Sequence, residues 1–210
     1  MRKSPLALLL SLICLISSHN EIQGQGHPPT DSLRQRAAAS VGKEKHDLLM
    51  RIAMSTNDIA DWDATLNDAI DRCDTPAICR SRLNRIQCLF NFYSVDSAII
   101  EARESLPFIL NAKQYSFYFS TYNTFISGLF KQRRFDEARE EATTMFETAQ
   151  QVKQPVGMTM ALQVQGSMYY KLGLYDQALT SLEKGIAICP TYENGENQVP
   201  VSYTHLTLPT

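Results

Sequence analysis

Histidine is scarce and dispersed in this sequence, with four residues in 210, of which His19, His27 and His46 stand alone near the N-terminus. No two share a metal-ligand spacing, so a His-centred metal or acid-base site has nothing to build on. Charge of one sign is missing too: 20 basic residues meet 22 acidic ones, a net charge of -2. That balance offers a phosphate backbone no basic field, which removes nucleic acid from the expected partners. The segment Gly42 to Lys45, GKEK, lacks the upstream glycine and the following Ser or Thr of a phosphate loop. With no catalytic or cofactor-binding constellation, the expectation is a non-enzymatic protein without a cofactor.

Long apolar runs are absent except at the start. Arg2 and Lys3 precede an apolar stretch, Leu6 to Ile16, followed by small and polar residues. A bilayer core takes about 20 helical residues to span, so residues 1–26 read as a cleaved export signal and short linker. Cleavage after Ser18 and cleavage near Gly24 or Gly26 both fit. Cys14 lies inside the run, but Ile13 before it argues against lipidation. The expected location is extracytoplasmic, for instance the periplasm.

Export makes disulfides permissible for the remaining Cys73, Cys79, Cys88 and Cys189. Cys73 and Cys79 flank DTPAI, in which Thr75 is suited to cap a helix and Pro76 to its first position. The two thiols either form a local disulfide across a helix-helix turn or act as small apolar residues at a packed hairpin. Four cysteines allow three pairings, which sequence does not rank.

What the chain does have is a repeat. VDSA at Val95 to Ala98, FDEA at Phe135 to Ala138 and YDQA at Tyr175 to Ala178 recur every 40 residues, and a weaker NDIA at Asn57 to Ala60 lies 38 residues earlier. Apolar periodicity places a helix before each copy, over 78–93, 118–133 and 158–173, and a second helix after it. Ala98 with Ala102, Ala138 with Ala142 and Ala178 with Leu182 stand four apart, on one face of each second helix. One such pair cannot bury its face alone, so stacked pairs are expected, an all-α right-handed solenoid. Pro107 should end or kink the second helix of the first pair.

The last pair resembles the tetratricopeptide repeat: Gly166, Tyr169, Gly173, Tyr175, Ala178 and Pro190 fall at that family's spacings, with Leu162, Leu182 and Gly185 at its packing positions. The middle pair keeps Leu129, Phe135 and Ala138 but has Ile126 where glycine is expected, and the first keeps Ile86, Leu89 and Ala98. The period of 40 exceeds the usual 34 of the family and is similar to extended arrays in bacterial signalling proteins. On this basis residues 77–199 hold three repeats and residues 27–76 a leading helix pair or diverged repeat.

The resemblance implies a groove lined by the first helices and a peptide or protein domain as partner. Carried over by register, it would contain an aromatic column, Phe90, Phe130 and Tyr170, and a polar to basic column, Asn91, Lys131 and Lys171, with Asn123 and Gln163 placed to bond a peptide backbone. The competing reading packs the aromatics between neighbouring units and leaves the lysines as solvated helix ends. The charged run Lys131 to Glu141 needs no ligand: cations end one helix and acids begin the next, complementing both dipoles.

Residues 200–210 continue none of these patterns. A reverse translation of VSYTHLTLPT resembles a sequencing-library adaptor, which reads the segment as non-native and the chain as the N-terminal fragment of a longer protein. Two functions are then expected as alternatives: an exported interaction scaffold, or the extracytoplasmic sensor region of a membrane histidine kinase or transcriptional regulator. In the second, membrane contact would come only through the missing C-terminal region.

Overall fold

The computed structural model describes residues 30–188, and these are helical between short turns with no strand among them. They divide into two compact units between Phe117 and Tyr118. The first holds α1 (Thr30–Ala39), α2 (Gly42–Thr56), α3 (Ile59–Asp71), α4 (Thr75–Phe92), α5 (Val95–Asn111) and the opening residues of α6 (Tyr115–Lys131). The second holds the rest of α6, then α7 (Phe135–Gln151), α8 (Pro155–Lys171) and α9 (Tyr175–Ile188).

The 40-residue recurrence of the sequence is a recurrence of helices. First helices begin at Thr75, Tyr115 and Pro155, second helices at Val95, Phe135 and Tyr175. The expected spans for the first helices started three residues late and ran one or two too far. The reason lies in the caps. Asp74 caps α4, its Oδ1 accepting from the Ala77 N–H at 3.1 Å, so Thr75 and Pro76 are already inside the helix. Aspartate is the stronger N-cap, and proline in the first turn removes only an N–H that has no helical partner.

The ends are equally regular. After α3, α5 and α7 the chain turns through a left-handed residue, Cys73, Lys113 and Lys153, and after α6 and α8 through Arg133 and Gly173. In each case two reverse hydrogen bonds close the helix. At the first, Asp74 N–H donates to the Ala69 carbonyl at 3.1 Å and Cys73 N–H to the Ile70 carbonyl at 2.9 Å. This is the Schellman arrangement, which satisfies carbonyls the helix end would leave open.

Cores form from the expected faces. Ala98, Ala102, Ala138, Ala142 and Ala178 are buried, and so are Ile86, Ile126 and Gly166 at matching positions of the first helices. Within the first unit, Leu33 and Ala37 of α1 meet Leu48 and Ile52 of α2, while Met50, Ala53, Trp62 and Cys88 join α2, α3 and α4.

The structure bears on three further points of the sequence. Pro107 does not end α5, which runs on to Asn111. Its ring is on the exposed side, so the carbonyl deprived of an N–H donor lies where water can replace it. NDIA is not in register with the later copies: Asn57 takes the left-handed turn position and Asp58 caps α3, whereas Asp96, Asp136 and Asp176 sit inside their helices. The local disulfide is not made: Cys73, Cys79 and Cys88 are free thiols, Cys73 exposed at the turn and Cys79 turned into the core. Cys14, Cys189, Pro190, the export signal and residues 200–210 lie outside the described residues.

Candidate functional site

In the second unit α6 and α8 carry no acidic residue, and their only basic one is the closing lysine of each. They lie side by side. At their N-terminal ends the Phe119 ring fills the space a Cβ on Gly157 would need. At their C-terminal ends the Lys171 ammonium stands 5.0 Å from the Phe130 ring centroid, a cation on an aromatic face. Between these contacts Asn123 of α6 and Gln163 of α8 occupy matching positions, both half-buried. Neither amide is taken up by another described side chain.

The aromatic column behaves differently from the groove reading. Phe130 packs on Phe135 across the α6–α7 turn, centroids 4.9 Å apart, and Tyr170 on Tyr175 across the α8–α9 turn at 5.7 Å. Their faces are engaged within each hairpin, and one face of Phe130 also holds Lys171. In the first unit Phe90 is half-buried and Asn91 exposed. Lys131 is exposed at the end of α6. Of the eight positions, Phe130, Tyr170 and Lys171 thus make contacts between neighbouring helices, while Asn123 and Gln163 are half-buried.

The charged run after α6 is local. Arg134, the N-cap of α7, donates to Glu137, and Arg139 to Asp136, each pair three residues apart at the surface. Such pairs contribute about 0.5 kcal/mol or less. Tyr122, buried on α6, donates its O–H to the half-buried Glu141 Oε2 of α7 at 2.6 Å. Burial, reinforced by this bond to a carboxylate, pushes the Tyr122 phenol far above its ordinary value.

The first unit contains an ionic network that spacing did not disclose. Arg34 of α1 makes a two-pronged bond to Asp61 of α3, both contacts at 2.8 Å, and Thr56 Oγ1 donates to the same carboxylate at 2.8 Å. Burial would raise the Asp61 carboxyl, but the bonds from Arg34 and Thr56 together with the Arg34 charge outweigh it and hold it low. One face further along α3, Asp68 receives Arg72 Nε at 3.0 Å and lies 3.2 Å from His46 Nδ1 and 3.6 Å from Lys45 Nζ. Arg85 of α4 joins Asp63 of α3 to Glu101 of α5. Asp61 and Asp68 lie seven residues apart on the face that also carries Trp62, Thr65 and Ala69, which marks them as buried acids but does not name their partners.

Chemically this arrangement positions helices. Burial raises the Cys79 and Cys88 thiols, which keeps them protonated and weak as nucleophiles. Among the described residues no group of three or more His, Cys, Asp or Glu is placed to hold a metal ion. No helix among them is long and apolar enough to cross a membrane. Comparison with known proteins returns no matching family model and no matching curated protein, so the assignment rests on the geometry of these helices.

Proposed function

We propose that this chain is a non-catalytic interaction module, a right-handed α-solenoid of tetratricopeptide-like helix pairs that binds an extended peptide or a segment of a partner protein. The export signal places it outside the cytoplasm in this reading. The observation that carries the proposal is the matched pair Asn123 and Gln163, half-exposed on two adjacent first helices whose faces carry no acid. Side-chain amides supply both a donor and an acceptor, which is what a peptide backbone requires. A neutral amide face favours backbone bonding over charge pairing. The resemblance of Gly166, Tyr169, Gly173, Tyr175 and Ala178 to the repeat family supports the same reading.

The test is selection of a random peptide library on the purified chain, with affinities measured by calorimetry. Asn123→Ala and Gln163→Ala should each weaken a selected peptide by about fivefold to tenfold, one hydrogen bond being worth about 1 kcal/mol. Phe130→Leu should lower stability with little change in affinity. Peptides whose binding ignores both amide substitutions would overturn the assignment of this face.

A further inference from the structure

The first described helix, α1, is held to its unit by two buried side chains and one part-buried ion pair. It is ten residues long and buries two side chains, Leu33 and Ala37. A helix of that length is marginal on its own, so its order depends on what it lies against. Beneath it are Leu48 and Ile52 of α2, exposed by only 3% and 1% while α1 is in place. Its third anchor is the fork of Arg34 on Asp61, in which the arginine side chain is 51% exposed and the aspartate 11%.

The linker to α2 is equally slight. Ser40 and Val41 separate the helices, Val41 is 83% exposed, and Gly42 has φ +62 with nothing within 4 Å of the place its Cβ would take. Nothing sterically fixes that joint. Departure of α1 would leave Leu48 and Ile52 in water and Asp61 with Thr56 as its hydroxyl donor and no guanidinium. A carboxylate that has lost its guanidinium then stands on a half-apolar face, and a second arginine on an apolar helix would pair with it again.

We propose that α1 is a detachable strap occupying a helix-docking face on α2 and α3, and that this face accepts in trans an amphipathic helix carrying leucine, arginine and alanine at the spacing of Leu33, Arg34 and Ala37. The strap itself defines the occupant. Leucine and alanine at i and i+4 fill the space over Leu48 and Ile52, and arginine at i+1 reaches Asp61. While α1 stays joined to α2 it competes at an effective concentration in the millimolar range, so an outside helix enters only when the strap is weakened. This face involves residues of α1, α2 and α3 alone, and stands or falls apart from the amide face of α6 and α8.

The test uses the full chain, isotope-labelled for NMR, and a capped synthetic peptide of residues 30–39. In a Leu33→Ala, Arg34→Ala chain the peptide should shift the amides of Leu48, Ile52 and Thr56 in a saturable manner, at least about tenfold more tightly than in the unaltered chain. A peptide with alanine in place of its arginine should lose most of that affinity, as should adding Asp61→Asn to the weakened chain. Hydrogen exchange on the unaltered chain should release α1 amides well before those of α2. Absence of peptide-induced shifts, loss of the α2 and α3 fold on weakening α1, or equal protection of α1 and α2 would each overturn the proposal.

Discussion

Gly166 and Leu182 face each other between α8 and α9 so closely that a Cβ on Gly166 would lie 2.8 Å from both Leu182 Cγ and Cδ2. The glycine is there because the leucine is. Forty residues earlier the same two places are held by Ile126 and Ala142, and forty before that by Ile86 and Ala102, all four completely buried. Bulk has moved from the first helix to the second. Gly166→Ala should therefore lower stability by about 1–3 kcal/mol through overpacking, although alanine is the better helix former. Urea unfolding of the variant checks this.

The left-handed turn residues predict their own substitutions. Arg133 and Gly173 hold the same place after α6 and α8, with φ +61 and +76. A side chain there carries a penalty of about 1–2 kcal/mol, offset in part by the larger unfolded-state freedom of glycine. Arg133→Gly should raise stability by roughly 0.5 kcal/mol, and Gly173→Ala should lower it by about 1 kcal/mol. Denaturant midpoints at constant slope report both.

Pro107 sits inside α5 without ending it. Alanine at that site restores one backbone hydrogen bond and removes the ring's crowding of the preceding turn. Pro107→Ala should stabilise the chain by about 1–2 kcal/mol, less than the usual cost of an interior proline because the site is exposed and proline also restricts the unfolded chain. Circular dichroism should show no new helix. A large gain in helicity would mean that α5 is broken at this residue.

Asp61 gives the pH dependence. Its carboxyl is held below the ordinary value of 3.8, the bonds from Arg34 and Thr56 overcoming the opposing effect of burial. The folded state then binds the proton less readily than the unfolded chain. The contribution is present above the unfolded value and is lost as pH falls through the folded one. Asp61→Asn should lower stability at neutral pH and flatten its decline below about pH 4. Unfolding free energies of both proteins from neutral pH down to strong acid measure the difference.

Thiol reactivity separates the two readings of Cys73 and Cys79. Cys73 is exposed, while Cys79 and Cys88 are buried with raised thiol values. A maleimide should label Cys73 within minutes in the native protein and the other two only on unfolding, as read by peptide mapping. Quantitative recovery of a Cys73–Cys79 linked peptide would contradict the free-thiol structure.

The all-helical class and the helix pairs were legible because Ala98, Ala138 and Ala178 recur in register and amphipathic spacing surrounds them. Helix ends were not, because Asp74 and not Thr75 makes the cap, and because lysine and arginine at left-handed positions carry no turn signature of the kind Gly173 does. The aromatic column was visible in the sequence, but its partners were not. Phe135 and Tyr175 lie five residues along, across a turn whose geometry decides whether two rings meet. The network around Asp61 and Asp68 joins residues up to 27 positions apart, and no local pattern encodes such pairings.

The helix pairs recur in 40-residue register, and the assignment of α6 and α8 as the binding face rests on their equivalence. A double-mutant cycle tests it most directly: Gly166→Ile, Leu182→Ala and their combination, which together write the Ile126 and Ala142 arrangement into α8 and α9. Each single change should destabilise by about 2 kcal/mol or more, and the pair should recover at least about 1 kcal/mol of that sum. Strict additivity of the two losses would mean that these positions are not equivalent, and the register would fall with it.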